Sequence, residues 1–394
     1  MNALIAQCGG PTAVLNASLA GAVSAWQHVP GQGRIFGSRY GLHGLETGNW
    51  VDLTGLTQAD LDRLAHQPGA ALGASRHRPE DGNFAPMVRQ LDVAGIGVVL
   101  LAGGNGTMAA AQRLNAVAAV EGVSLRVIGI PKTIDNDLAG TDVTPGYGSA
   151  ARYVAYSTQD VTLDLYAMRG FDQVVVIEVM GRHAGWLAAA AALARTQVGD
   201  PPHLILLPET PVDEERVFER IDASIATDGI CVVVAAEGVH DAQGNYWAER
   251  LGSAGHDPSG QRILSMSAGV SSYLVRRVQE RLRLRCRQVR LNTAQRSNRS
   301  LASPADRDMA QTVGREAVSA AMAGVTGEMV AIRLREHGWY TELTPFERVI
   351  GYERRLPAHF TNPTAFDVTE PFVAYARQFT GPLPPAPLLW TEEP

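Results

Sequence analysis

Residues 98–120 read VVLLAGGNGTMAAAQRLNAVAAV. Five apolar residues, Val98 to Ala102, run without alternation into Gly103-Gly104-Asn105-Gly106-Thr107, and an alanine-rich segment follows to about Val120. An unbroken apolar run, ended by glycines and followed by helical composition, predicts a strand buried on both faces and a covering helix. The unit recurs. Ala3 to Cys8 leads into Gly9-Gly10-Pro11-Thr12 and a helix over Ala13 to Trp26. Val127 to Ile130 leads into Pro131-Lys132-Thr133-Ile134-Asp135-Asn136-Asp137. Val174 to Val179 leads into Met180-Gly181-Arg182-His183-Ala184-Gly185 and a helix ending near Ala194. Leu204 to Leu207 and Cys231 to Ala236, the latter ending at Glu237-Gly238, complete the interior strands. The fold class expected is α/β, with mostly parallel sheets covered by helices on both faces.

A chain of 394 residues is too long for one small module, so two domains are expected. No uninterrupted apolar run of about 18 residues occurs, which argues against a membrane span. The start, Met1-Asn2-Ala3-Leu4-Ile5, lacks the layout of a signal peptide, so a cytoplasmic location is expected. Cys8, Cys231 and Cys286 are too far apart for a disulfide framework or a cysteine zinc site. A net charge of −6 speaks against nucleic acid as a partner. Of the 34 basic residues all but Lys132 are arginine. An ammonium kept where every other cation is a guanidinium marks Lys132 as a functional candidate.

In parallel sheets ligands bind beyond the carboxyl ends of the strands. The glycines, Lys132, Asp135, Asp137, Arg182 and Glu237 all fall there. Glycine-rich turns that open helices present backbone N–H groups to anions, and two different ones, at Gly9-Gly10 and Gly103 to Gly106, point to a polyphosphate. Neither fits the P-loop or the dinucleotide fingerprint. Asp135 and Asp137, two residues apart, face one way if the segment is extended; one then serves Mg²⁺ and the other accepts a hydroxyl proton. With Lys132, Thr133, Arg76 and Arg182 as the surrounding groups, the set suits phosphoryl transfer. Nine arginines lie between Arg276 and Arg299 with Glu280 as the single acid. Most read as a solvated face, with one or two converging on a phosphate.

Pro131 to Asp137, Met180-Gly181-Arg182, Glu237-Gly238 and Gln295-Arg296, in this order, resemble the 6-phosphofructokinase family, in particular its bacterial branch that includes pyrophosphate-dependent enzymes. The resemblance runs from Ala3 to about Gly324. It implies two Rossmann-like three-layer domains with the active site in the cleft between them. Residues 1–147 with about 296–326 would form the phosphoryl-donor domain, and 148–295 with about 327–394 the sugar-phosphate domain and a C-terminal extension. It further implies fructose 6-phosphate as substrate, Mg²⁺ as cofactor, and a homodimer or homotetramer with shared phosphate sites. Asp135 would be the base for the 1-hydroxyl, and Asn105 and Asp137 would serve Mg²⁺. Arg76 and Arg182, with Lys132 and Thr133, would stabilise the moving phosphoryl group. Thr133, Ile134, Met180, Gly181 and Glu237 would hold the sugar, with Arg287, Thr293 and Arg296 at its 6-phosphate. Gly10 and Gly103, Gly104, Asn105, Gly106 and Thr107 would line the donor site. Thr293 stands where a histidine is common, and Gln173 where many members lend an arginine from a neighbouring subunit. Gly106 stands where pyrophosphate users carry aspartate, so nothing there repels a nucleotide, and ATP is the expected donor with pyrophosphate the alternative. A kinase of nucleotide cofactors or of diacylglycerol, or a non-catalytic sugar-phosphate sensor, are the other readings.

Overall fold

The computed structural model describes residues 1–197, 199–252, 255, 264 and 267–386. The chain divides into two compact units, Met1–Ala150 with Arg296–Arg354 and Ala151–Gln295 with Arg355–Pro394.

The first unit opens with β1 (Asn2–Gln7), α1 (Leu15–Gln27), β2 (Ile35–Ser38), α2 (Leu42–Thr47), β3 (Trp50–Asp52) and α3 (Gln58–Ala65). Then come α4 (Phe84–Val93), β4 (Ile96–Gly103), α5 (Asn105–Val120) and β5 (Arg126–Pro131). A long helix, α6 (Tyr147–Ala167), carries the chain into the second unit. There β6 (Val174–Val179), α7 (Trp186–Ala190), β7 (Leu204–Leu206), α8 (Glu214–Asp228), β8 (Cys231–Ala236), α9 (Val270–Leu282) and β9 (Cys286–Arg290) follow. The return adds α10 (Pro304–Met322), β10 (Glu328–Leu334) and β11 (Trp339–Pro345) to the first unit. The second then gains a short pair, β12 (Thr361–Asn362) and β13 (Asp367–Val368), and α11 (Glu370–Thr380).

The first sheet has the order β11-β10-β5-β4-β1-β2-β3, parallel throughout except for the two edge strands β3 and β11. Its central strands β1, β4 and β5 are buried almost end to end, as their unbroken apolar runs require. The second sheet, β7-β8-β6-β9, is wholly parallel. Helix starts follow local chemistry. Thr57 and Asp60 close a capping box on α3, Asp213 caps α8, and Ser303 followed by Pro304 opens α10.

The expectation that residues from about 327 belong to the second domain is corrected. β10 pairs with β5 at Glu328↔Ile128, and Met329, Val330, Ala331 and Ile332 are fully buried. The apolar run therefore finishes the first sheet, and the chain leaves that unit only at Arg354.

Candidate active site

In the first unit the carboxyl ends of β1, β4 and β5 deliver three loops. β1 ends at Gln7 and the chain turns at Gly9, whose φ of 74° is a conformation that favours glycine. β4 ends in Gly103, and Gly104 starts α5, so Asn105, Gly106 and Thr107 form that helix's first turn. β5 ends at Pro131 and hands over Lys132, whose N–H bonds the Gly103 carbonyl at 3.1 Å.

The Lys132 ammonium is buried, with 5% exposure, and donates to the Gly10 carbonyl at 2.8 Å. Burial pushes its pKa down to about 8, although Asp137 and Asp135 both pull it up. Arg296 is held down as well, by burial and then by the neighbouring Arg76, against the attraction of Asp135. Lys132, Arg296 and Arg76 thus crowd positive charge around Asp135. Asp137 is pushed up by burial, with the nearby Glu353 adding to the shift. The Cys8 thiol below this cluster is pushed up to about 11 by burial and stays neutral.

The segment carrying the two aspartates is not extended. Asn136 has a φ of 53°, and its Oδ1 accepts the Thr144 N–H at 3.0 Å. The Thr133 hydroxyl accepts the Asp135 N–H at 3.1 Å. A tight turn fixed by Thr133 and Asn136, and not strand alternation, therefore brings both carboxylates to Lys132. The turn is buttressed from behind. Thr133 bridges to Gly146, and the buried Asp306 accepts the N–H groups of Gly146 and Ser149 at 2.9 Å and the Ser149 hydroxyl at 2.6 Å.

Asn105 Oδ1 is buried and has no hydrogen-bond partner among the described residues. An orphaned carbonyl oxygen and a carboxyl raised by burial are a donor set that suits a hard divalent cation, Mg²⁺ in particular, which takes few protein oxygens and completes its shell with phosphate and water. No cluster of three or more His, Cys, Asp or Glu with metal-ligand spacing occurs among the described residues, which such a cation does not need.

In the second unit the ends of β6 and β8 are laced together. Glu237 N–H bonds the Val179 carbonyl at 2.9 Å, and Gly238 N–H bonds that of Gly181 at 3.1 Å. A side chain at 238 would run into the backbone of Arg182, so this close approach requires glycine. Met180 N–H is taken by the buried Gln295 at 3.2 Å. Burial pushes the Glu237 carboxyl up to about 7, against the pull of Arg182. Met180, Gly181, Arg182 and Glu237 therefore stand together.

Arg287 does not join them. In register it lies opposite Val175, so it stands near the start of β6. Five residues separate that level from Met180, roughly 17 Å along a strand. There it pairs with the buried Asp172 at 2.5 Å. Thr293 and Arg296 lie on a short 3-10 turn, Asn292–Arg296, that ends where the chain re-enters the first unit. Arg296 itself sits with Gly10, Arg76 and Asp135. Two features escaped the sequence reading. Arg290 binds Glu178 at 2.9 Å beside the Glu237 carboxyl, and Arg78 lies against Gly106.

Known proteins resemble this chain over most of its length. The family model described as Phosphofructokinase matches residues 2–321. A pyrophosphate–fructose 6-phosphate 1-phosphotransferase of Xanthomonas campestris is 35% identical over 97% of this chain and 91% of its own. A sulfofructose kinase of Alkalicoccus urumqiensis is also 35% identical, over 91% of each chain. The crystal structure of a pyrophosphate-dependent phosphofructokinase from Marinobacter aquaeolei superposes with a TM-score of 0.86 at 32% identity, covering 98% of this chain and 93% of that one. Kinases of nucleotide cofactors or lipids and a non-catalytic sensor are thereby set aside. With its two α/β units and the loops at their strand ends, the chain belongs to the phosphofructokinase family and is a phosphotransferase.

Proposed function

We propose that the chain transfers a phosphoryl group from inorganic pyrophosphate to the 1-hydroxyl of fructose 6-phosphate. Likeness over the whole length to two pyrophosphate-dependent enzymes carries the choice of donor. ATP, the donor read from the bare Gly106, gives way to that likeness.

The first unit supplies the donor loops and the base, the second the sugar-binding strand ends. Asp135 takes the proton of the 1-hydroxyl, and that oxygen forms a bond to the near phosphorus of pyrophosphate. The bridging P–O bond breaks and inorganic phosphate leaves. Lys132, Arg76, Arg182 and Arg296 offset the charge on the transferring group, and their work is electrostatic. Mg²⁺, held by Asn105 and Asp137, would neutralise the donor phosphates. Gly10, Gly103, Gly104 and Thr107 line the donor site. Thr133, Ile134, Met180, Gly181 and Glu237 hold the sugar, with Glu237 able to donate as well as accept near pH 7. Arg287, at the far end of its strand, serves the 6-substituent of a sugar bound by another copy of the chain in a homodimer or homotetramer.

One observation favours a second sugar. Asp172 already pairs with Arg287, which weakens its pull on a doubly charged phosphate and suits a singly charged 6-sulfonate. Phosphorus NMR of reactions containing pyrophosphate, Mg²⁺ and either sugar tests both readings. A new 1-phosphate signal is expected with fructose 6-phosphate. Signal with the sulfonate sugar alone would replace the substrate.

A further inference from the structure

The stretch that follows the two aspartates is held from outside almost residue by residue. Asn136, with its φ of 53°, is fully buried. Its carbonyl accepts Arg354 Nη1–H at 3.2 Å, and the next carbonyl, that of Asp137, accepts the Arg354 N–H at 2.8 Å. Leu138 forms an antiparallel bridge with Glu353. The Thr344 hydroxyl then donates to the Gly140 carbonyl at 3.2 Å, and the Ile332 N–H to the Thr141 hydroxyl at 2.9 Å. The Leu334 N–H donates to the Asp142 carboxylate at 2.9 Å. These partners belong to β10, β11 and the segment after them, all within the first unit. They lie beyond residues 2–321, the stretch that the family model matches.

Arg354 takes the carbonyls on both sides of the Asp137 Cα. A left-handed conformation at a residue with a side chain persists only where the surroundings hold it. Relaxation of Asn136 toward negative φ would rotate Asp137 relative to Asp135, since Asn136 is the single residue between them. A hydrogen bond from a charged guanidinium is the stronger kind of restraint, and here it falls on the carbonyl of the strained residue itself.

We propose that Arg354 is a positioning residue for phosphoryl transfer: its guanidinium and peptide N–H lock the left-handed turn at Asn136 and so aim the Asp135 and Asp137 carboxylates. The proposal rests on the reading of Asp135 as the base and of Asp137 as a holder of Mg²⁺.

The test compares kcat, sugar KM and Tm of the wild type with those of variants at 354, and follows Mn²⁺ binding by electron paramagnetic resonance without turnover. Arg354→Ala and Arg354→Met both remove the guanidinium, the second keeping its bulk in case alanine disturbs folding. Each is expected to lower kcat roughly 10-fold or more with sugar KM little changed. Each should also weaken Mn²⁺ binding roughly 10-fold. Arg354→Lys keeps one cationic donor and should fall between these variants and the wild type in both readouts. Combined with Asp135→Ala, the loss of the guanidinium should lower kcat by much less than it does alone, because the base it aims is gone. Arg354→Met with wild-type kcat and Mn²⁺ binding, whatever its Tm, or fully additive losses with Asp135→Ala would overturn the proposal and leave the base standing. Near-normal turnover in Asp135→Ala itself would refute the reading of the base, and the proposal with it.

Discussion

Replacing Lys132 by methionine should make the protein more stable and nearly inactive. The ammonium is buried and its pKa falls from 10.5 to about 8. The unfolded chain therefore binds the extra proton between those two values, so this group makes stability rise as pH climbs from about 8 to 10.5. Below pH 8 the full penalty applies, on the order of 3 kcal/mol for a shift of this size. Methionine has a similar length and no charge, but it leaves the Gly10 carbonyl without its donor, which costs about 1 kcal/mol. The net gain at pH 7 is about 2 kcal/mol, roughly 4–8 °C in Tm for a unit of this size. Thermal denaturation of both proteins at pH 7 and pH 10.5 checks it, with the gain expected to vanish at the higher pH. A second readout is proton uptake on binding pyrophosphate at pH 8, measured by calorimetry in buffers of different ionisation enthalpy. The wild type should take up more than the variant by a fraction of a proton, the share of the Lys132 ammonium. A Lys132→Met protein that is less stable at pH 7, or equally shifted at both pH values, would refute the idea that function keeps a costly charge here.

Three further outcomes are expected. Asp135→Ala should lower kcat roughly 10²–10⁴-fold with little change in sugar KM, and near-normal turnover would remove Asp135 as the base. Glu237 is pushed up to about 7, so wild-type stability falls as pH rises from 4.5 to about 7. Glu237→Gln should therefore melt higher than wild type at pH 8 and alike at pH 4.5, whereas equal melting at both would contradict a buried, raised carboxyl. Asp306→Ala leaves the N–H groups of Gly146 and Ser149 without their acceptor and should cost about 3 kcal/mol and loosen Thr133, lowering Tm and kcat together; an unaltered Tm would show the buttress to be dispensable.

Much of this architecture was legible in the sequence because buried parallel strands leave unbroken apolar runs, as in Val98 to Ala102 and Cys231 to Ala236. The residues that gather at the strand ends were legible for the same reason, since each follows its strand directly. What escaped depends on long-range register. Nothing local in Glu328–Leu334 says which sheet it completes, and the place of Arg287 follows only from its pairing opposite Val175. The left-handed Asn136 broke an alternation argument that assumed extended backbone. Arg78 reaches Gly106 from 28 residues away along a strap without regular structure, so no periodicity could announce it.

The central claim is the reaction itself, and one comparison bears on it most directly. The purified protein is given fructose 6-phosphate and Mg²⁺ with either pyrophosphate or ATP at millimolar concentration, and fructose 1,6-bisphosphate formation is followed. Turnover with pyrophosphate, at a kcat/KM well above that for ATP, is the predicted result. Turnover with ATP and none with pyrophosphate, or no bisphosphate with either donor, would contradict it.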